Sequence, residues 1–114
     1  MDAIVAVYSD WGIGSEGTQP IVVPEDRRHF AKLTRGAAVI VGRRTMEDFP
    51  GGKPLKDREN LVITRHADEI EGATIVRTAK DAVEATKDCE RVFVIGGATV
   101  YMAMFQYFDR IYVT

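Results

Sequence analysis

The chain has 114 residues, 46% of them hydrophobic and 28% charged, with 15 Lys+Arg against 17 Asp+Glu and a formal charge of −2. That length predicts one domain, able to bury roughly 65% of its extended surface, and the near-neutral balance argues against nucleic acid or a membrane surface as a charge-driven partner. The single cysteine, Cys89, excludes an intrachain disulfide framework and a cysteine-based zinc site, and no apolar run approaches the roughly 18–20 residues of a membrane span, so a reduced, soluble, cytoplasmic domain is expected.

In chain order, residues 3–8 form a short continuous apolar run, the pattern of a strand buried on both faces. Residues 9–24 follow as a loop of about 15 residues, long for a compact domain. It carries Trp11, Ile13, Ile21, Val22 and Val23, which suits a binding loop or lid better than a solvated excursion. Pro24-Glu25-Asp26 opens a helix predicted to run to about Arg35, where Gly36 stops it. Residues 37–41 are a second buried strand ending at Gly42, and residues 43–49 a short helix. Strands are predicted at 60–64, at 74–76 (a weaker one), at 91–95 and at 109–114. Helices are predicted from Ala79 to about Thr86, behind a capping-box-like Thr78 and Asp81, and over 98–107. Strands alternating with helices imply an α/β fold, a three-layer sandwich with a mostly parallel central sheet flanked by helices.

Four features carry chemistry. Asp26, Phe30 and Leu33 share a helix face, so Asp26 is a carboxylate on the apolar side; it reads either as a first-turn helix-dipole partner or as a buried acid for a cationic or amidine-like ligand group. Two strand-to-helix junctions, Val41-Gly42-Arg43-Arg44-Thr45 and Ile95-Gly96-Gly97-Ala98-Thr99, place glycine beside free backbone N–H groups, where a phosphate can approach. Two in one sheet suggest one ligand with several phosphates, although each alone is also the pattern of a tight turn. Thr64-Arg65, at the end of the third strand, suits a phosphate or a solvated surface pair. Arg58, in a charged loop, suits a carboxylate or plain solvation. His29 and His66 lack ligand-spaced partners, so no metal is expected, and Cys89 reads as a bystander. The Tyr101, Phe105, Phe108 stripe reads as core.

In this order, these residues resemble the dihydrofolate reductase family. The matching pieces are Ile4-Val5-Ala6, Gly12-Ile13-Gly14, Pro24-Glu25-Asp26-x-x-x-Phe30, Val41-Gly42-Arg43-x-Thr45, Leu55…Arg58-x-Asn60, Thr64-Arg65, Ile95-Gly96-Gly97-x-x-Val100-Tyr101 and Ile111-Tyr112-Val113-Thr114. The resemblance spans residues 1–114 as a single domain and implies reduction of 7,8-dihydrofolate by NADPH. It implies Asp26, supported by Thr114, as the acid at the pterin's amide and amino edge. Ile4, Val5, Ala6, Arg27, Phe30, Phe49, Leu55, Ile95 and Tyr101 would contact the substrate, and Arg58 its glutamate carboxylate. Ala6, Ile13, Gly14, Gly42, Arg43, Arg44, Thr45, Ile95, Gly96, Gly97, Ala98, Thr99, Val100 and Tyr101 would hold the cofactor, with Arg43, Thr64 and Arg65 on the phosphate that distinguishes NADPH from NADH. The Gly96–Gly97 bond would be cis, and residues 9–23 would cover the nicotinamide.

The sequence departs from the family pattern at four places. Ile21 stands where tryptophan is usual, Arg27 where an apolar residue is usual, and Thr99 where arginine is frequent. The sheet is expected to lack the family's last two strands after the one holding Thr114. A catalytic reductase, monomeric by family expectation, is the first reading. The alternative is a non-catalytic or cofactor-only binding domain of the same fold, possibly self-associating through its C-terminal edge strand. A pyrimidine reductase of riboflavin synthesis shares the cofactor side but lacks the Pro24-Glu25-Asp26 acid.

Overall fold

The computed structural model describes residues 1–5, 32–66 and 69–113. The expectations for Ala6, Ile13, Gly14, Asp26, Arg27, Phe30 and Thr114, and for the loop over 9–24, lie outside the described residues.

The described residues form strands β1 (Asp2–Val5), β2 (Ala38–Gly42), β3 (Glu59–Ile63), β4 (Ala73–Val76), β5 (Val92–Gly96) and β6 (Arg110–Val113). Helices are α1 (Arg43–Glu47), α2 (Ala79–Ala85) and α3 (Ala98–Met104), and residues 32–34 are helical ahead of the turn at Gly36, whose φ is 76°. The sheet has the order β4-β3-β2-β5-β1-β6, and every pairing in it is parallel. The continuous apolar runs of β2 and β5, and the Leu61-Val62-Ile63 run of β3, occupy its middle, where both faces of a strand are covered. β4, the weaker run, lies at an edge.

Alternation within each strand sends side chains to two cores. Ile4, Val39, Val41, Val62, Phe93 and Ile95 meet Met46 of α1 on one face. Ala38, Ile40, Leu61 and Val94 meet Ala82 of α2 and Val100 and Met104 of α3 on the other. Helices therefore cover both faces, as the three-layer expectation requires. Thr78 caps α2, its hydroxyl accepting from the Asp81 amide at 3.1 Å.

The aromatic stripe differs from expectation. The α-helix over 98–107 ends at Met104, whose φ of −107° leaves the helical range, and Phe105–Tyr107 continue as a 3₁₀ turn. The tighter turn changes the phase of the side chains. Tyr101 and Phe108 stay partly packed on the second core, but Phe105 is 67% exposed and meets Phe108 edge-on at 6.2 Å.

Candidate functional site

The two glycine junctions lie side by side. β2 and β5 are neighbours, with Val41 opposite Gly96, so Gly42 leads into α1 beside the point where Gly97 leads into α3. The contact is close. A Cβ on Gly42 would sit 3.1 Å from Val100 Cγ2 and 3.7 Å from the Gly97 nitrogen, so only glycine lets the two main chains approach this far without displacement. The Gly96–Gly97 peptide is cis.

Above these junctions opens a groove of about 870 Å³. From β2 the chain continues to β3 and β4 on one side and finds β5 on the other, so the groove sits outside the carboxyl ends of the strands where the order reverses, the usual ligand position in such sheets. It brings together Gly42, Arg44, Thr45, Thr64 and Arg65 with Gly97, Ala98, Thr99 and Val100, all candidates from the sequence. Ile95, Gly96 and Tyr101 do not line it. Nor does Arg43: its Nε lies 3.8 Å from Glu47 Oε2, one helical turn on. One residue along a helix is a rotation of about 100°, so of the two adjacent arginines only Arg44 reaches the groove.

Sequence reasoning missed His66, Arg77, Thr78 and Asp48, which also line the groove. Arg77 and Thr78 follow the carboxyl end of β4 just as Thr64 and Arg65 follow that of β3, which is the signal that would have found them. Arg77 Nη1 donates to the Thr64 carbonyl at 2.9 Å, and the Thr64 hydroxyl accepts from the His66 amide at 3.2 Å. Arg44, Arg65 and Arg77 outnumber the Asp48 carboxylate, so the lining favours an anion.

Four of the expected substrate residues lie on the first core's face, whereas Tyr101 packs on the second. Ile4, Phe49 and Ile95 are buried in one cluster, and Leu55 packs against it. The Tyr101 hydroxyl donates to the Ile4 carbonyl at 2.6 Å, tying α3 to β1, and burial pushes that phenol well above its ordinary pKa. Arg58 Nε donates to Thr34 Oγ1 at 2.8 Å. Burial, and then the nearby charge of Arg35, lower the Arg58 pKa, with Asp57 opposing. Cys89 lies outside the groove, and its thiol donates to Glu59 Oε2 at 3.7 Å. No cluster able to hold a metal occurs among the described residues, and no helix among them is long and apolar enough to cross a membrane.

A family model for dihydrofolate reductase matches residues 1–114. The chain belongs to the dihydrofolate reductase family. It is 41% identical to the dihydrofolate reductase of Bacillus subtilis (strain 168) over 112 residues, covering 97% of this chain and 66% of that relative. It is 36% identical to the type 3 dihydrofolate reductase of Salmonella typhimurium over 103 residues, covering 90% of this chain and 62% of the relative. A solved structure of dihydrofolate reductase from Enterococcus faecalis, complexed with NADP(H) and RAB-propyl, superimposes with a TM-score of 0.82 at 30% identity, covering 98% of this chain and 67% of that one. The chain thus spans about two thirds of the length of these relatives. Within the dihydrofolate reductase family the cis Gly96–Gly97 bond is the one the resemblance implied.

Proposed function

We propose that the protein reduces 7,8-dihydrofolate to 5,6,7,8-tetrahydrofolate with NADPH, as a single dihydrofolate-reductase-like domain over residues 1–114, acting in the cytoplasm as a monomer. The observation that carries this reading is the convergence of both glycine junctions on one cationic groove, in a chain that matches the family from end to end.

The groove's residues fit a dinucleotide. The missing Cβ at Gly42 lets the two strand-to-helix junctions lie against each other at the groove's floor, and three guanidiniums line the same groove. Arg44, Thr45 and residues 97–100 would hold the bridging phosphates, with Thr64 and Arg65 at the additional one. Bound there, NADPH supplies a hydride.

The chain's own residues do the rest. Asp26, supported by Thr114, would hold the pterin's amide and amino edge and favour protonation of its ring nitrogen. Ile4, Val5, Ala6, Phe30, Phe49 and Leu55 would line the pterin and benzoyl positions and exclude water. Arg58 would pair with the glutamate carboxylate. Ile13 and Gly14, within residues 9–23, would close over the nicotinamide.

The test is NADPH consumption on adding dihydrofolate. The wild-type chain should consume NADPH only when dihydrofolate is present, and Asp26→Asn should lower the rate by about 10²–10⁴-fold, most at neutral pH where protons are scarce. Absence of dihydrofolate-dependent consumption by the wild type would sink the proposal.

A further inference from the structure

We infer that Asn60 is a positioning residue for substrate recognition, setting the place of Arg58 so that its guanidinium meets the substrate's terminal carboxylate; this rests on the reading of Arg58 proposed above.

Asn60 is an unusual side chain for its position. It is the second residue of β3, an interior strand, flanked in the sheet by Val39 and Ala73. It is only 3% exposed, on the face that carries the apolar cluster of Val39, Val62 and Leu55. A primary amide buried among hydrocarbon is costly unless its donors and acceptor are all used. Here they are used, and all on one segment. Asn60 Oδ1 accepts from the Leu55 amide at 3.1 Å, while Nδ2 donates to the Leu55 carbonyl at 2.8 Å and to the Arg58 carbonyl at 3.1 Å.

One side chain therefore clamps both ends of the loop over 55–58. That loop has little else of its own: Pro54 precedes it, and Asp57 turns through a φ of 59°. A further main-chain tie among the described residues is the Gly36 amide donating to the Asp57 carbonyl at 2.8 Å. With the Arg58 carbonyl held by Asn60, the origin of the arginine side chain is fixed. The guanidinium is then held at its far end by two further bonds, Nε to the hydroxyl of fully buried Thr34 at 2.8 Å and Nη1 to the Lys56 carbonyl at 2.5 Å.

The anchors act on different degrees of freedom. Asn60 fixes where the arginine starts, and Thr34 fixes the orientation of the fork. Two-pronged recognition of a carboxylate depends on that orientation, and ordering the arginine beforehand removes an entropy cost from binding. A substrate with the carboxylate tail should feel the loss of Asn60, and one without the tail should not.

The test measures affinity of the full chain for dihydrofolate and for 7,8-dihydropterin, which lacks the benzoylglutamate tail. Asn60→Asp keeps the size and the acceptor for the Leu55 amide, but sets an oxygen against the Leu55 and Arg58 carbonyls. It should weaken dihydrofolate on the order of ten-fold and leave dihydropterin within about two-fold. In an Arg58→Ala background the same change should cost dihydrofolate nothing further. Thr34→Val deletes one hydroxyl at constant shape and should show the same tail-dependent pattern at smaller size, which keeps the question open to measurement even where Asn60→Asp unfolds. Equal losses for both ligands, or a further loss in the Arg58→Ala background, would overturn the inference and leave Asn60 as a fold-stabilising residue only. The parent reading fails differently: Arg58→Ala itself would then not distinguish the two ligands.

Discussion

The two regions proposed to meet ligands are built by different means. The groove over β2 and β5 is shaped by main chain: two glycine junctions pressed together, with a 3.1 Å gap where a Cβ on Gly42 would meet Val100. The Arg58 loop is shaped by side chains, with Asn60 bonding its main chain at both ends and Thr34 its arginine. A region made by close approach of the backbone loses shape with each atom added between its parts. A region made of side-chain bonds can be taken apart one bond at a time, because near-isosteric replacements remove a donor and keep the shape.

Changes at four sites, one of them with a compensating second change, test that contrast. The largest effect should come from Gly42→Val, which forces methyl groups between Val100 and the Gly97 main chain; overpacking of this kind costs about 3 kcal/mol and should abolish NADPH binding with it. Chemical denaturation and an NADPH titration check it. Gly42→Ala should do less, and Val100→Ala in the same chain should recover most of the loss, since the shortest clash is with that side chain. Next is Asn60→Leu, which leaves the Leu55 amide and two carbonyls without their partner; about 2–3 kcal/mol of stability should go, with NADPH affinity unchanged. Loss of NADPH affinity in that variant would show that the two regions are not separable. Tyr101→Phe removes the bond to the Ile4 carbonyl and should cost about 1 kcal/mol by the same denaturation measurement. Smallest is Asp57→Gly. Its φ of 59° suits glycine, but glycine also gains freedom in the unfolded chain, so the net change should stay within about 1 kcal/mol.

How far the sequence could be read follows from the same contrast. β2 and β5 were legible because strands covered on both faces are apolar without interruption, β3 by its shorter Leu61-Val62-Ile63 run, and Gly36 was legible as a stop because its φ of 76° needs glycine. The glycine junctions were legible as a pair, yet their contact was not, because it depends on β5 returning to pair with β2 after two other strands have been laid down. Arg77 and His66 were hidden for the same reason: they reach the groove only once the strand order brings the ends of β3 and β4 beside it. Arg43 and Arg44 are adjacent in sequence, and only the phase of α1 separates the one paired with Glu47 from the one in the groove. Phe105 fits the apolar stripe at helical spacing, and the change to a 3₁₀ turn at Met104 turned it outward. Asn60 stood in a recognisable motif, but a polar letter in a strand does not announce which loop it holds.

Whether the groove takes the phosphates of NADPH is decided by the ratio of NADPH to NADH affinity. Titration of each cofactor should show the wild-type chain preferring NADPH by more than about ten-fold, Arg65→Gln losing most of that preference, and Arg43→Gln, changed outside the groove, keeping it. Equal affinity for the two cofactors in the wild type, or a preference untouched by Arg65→Gln, would contradict that placement.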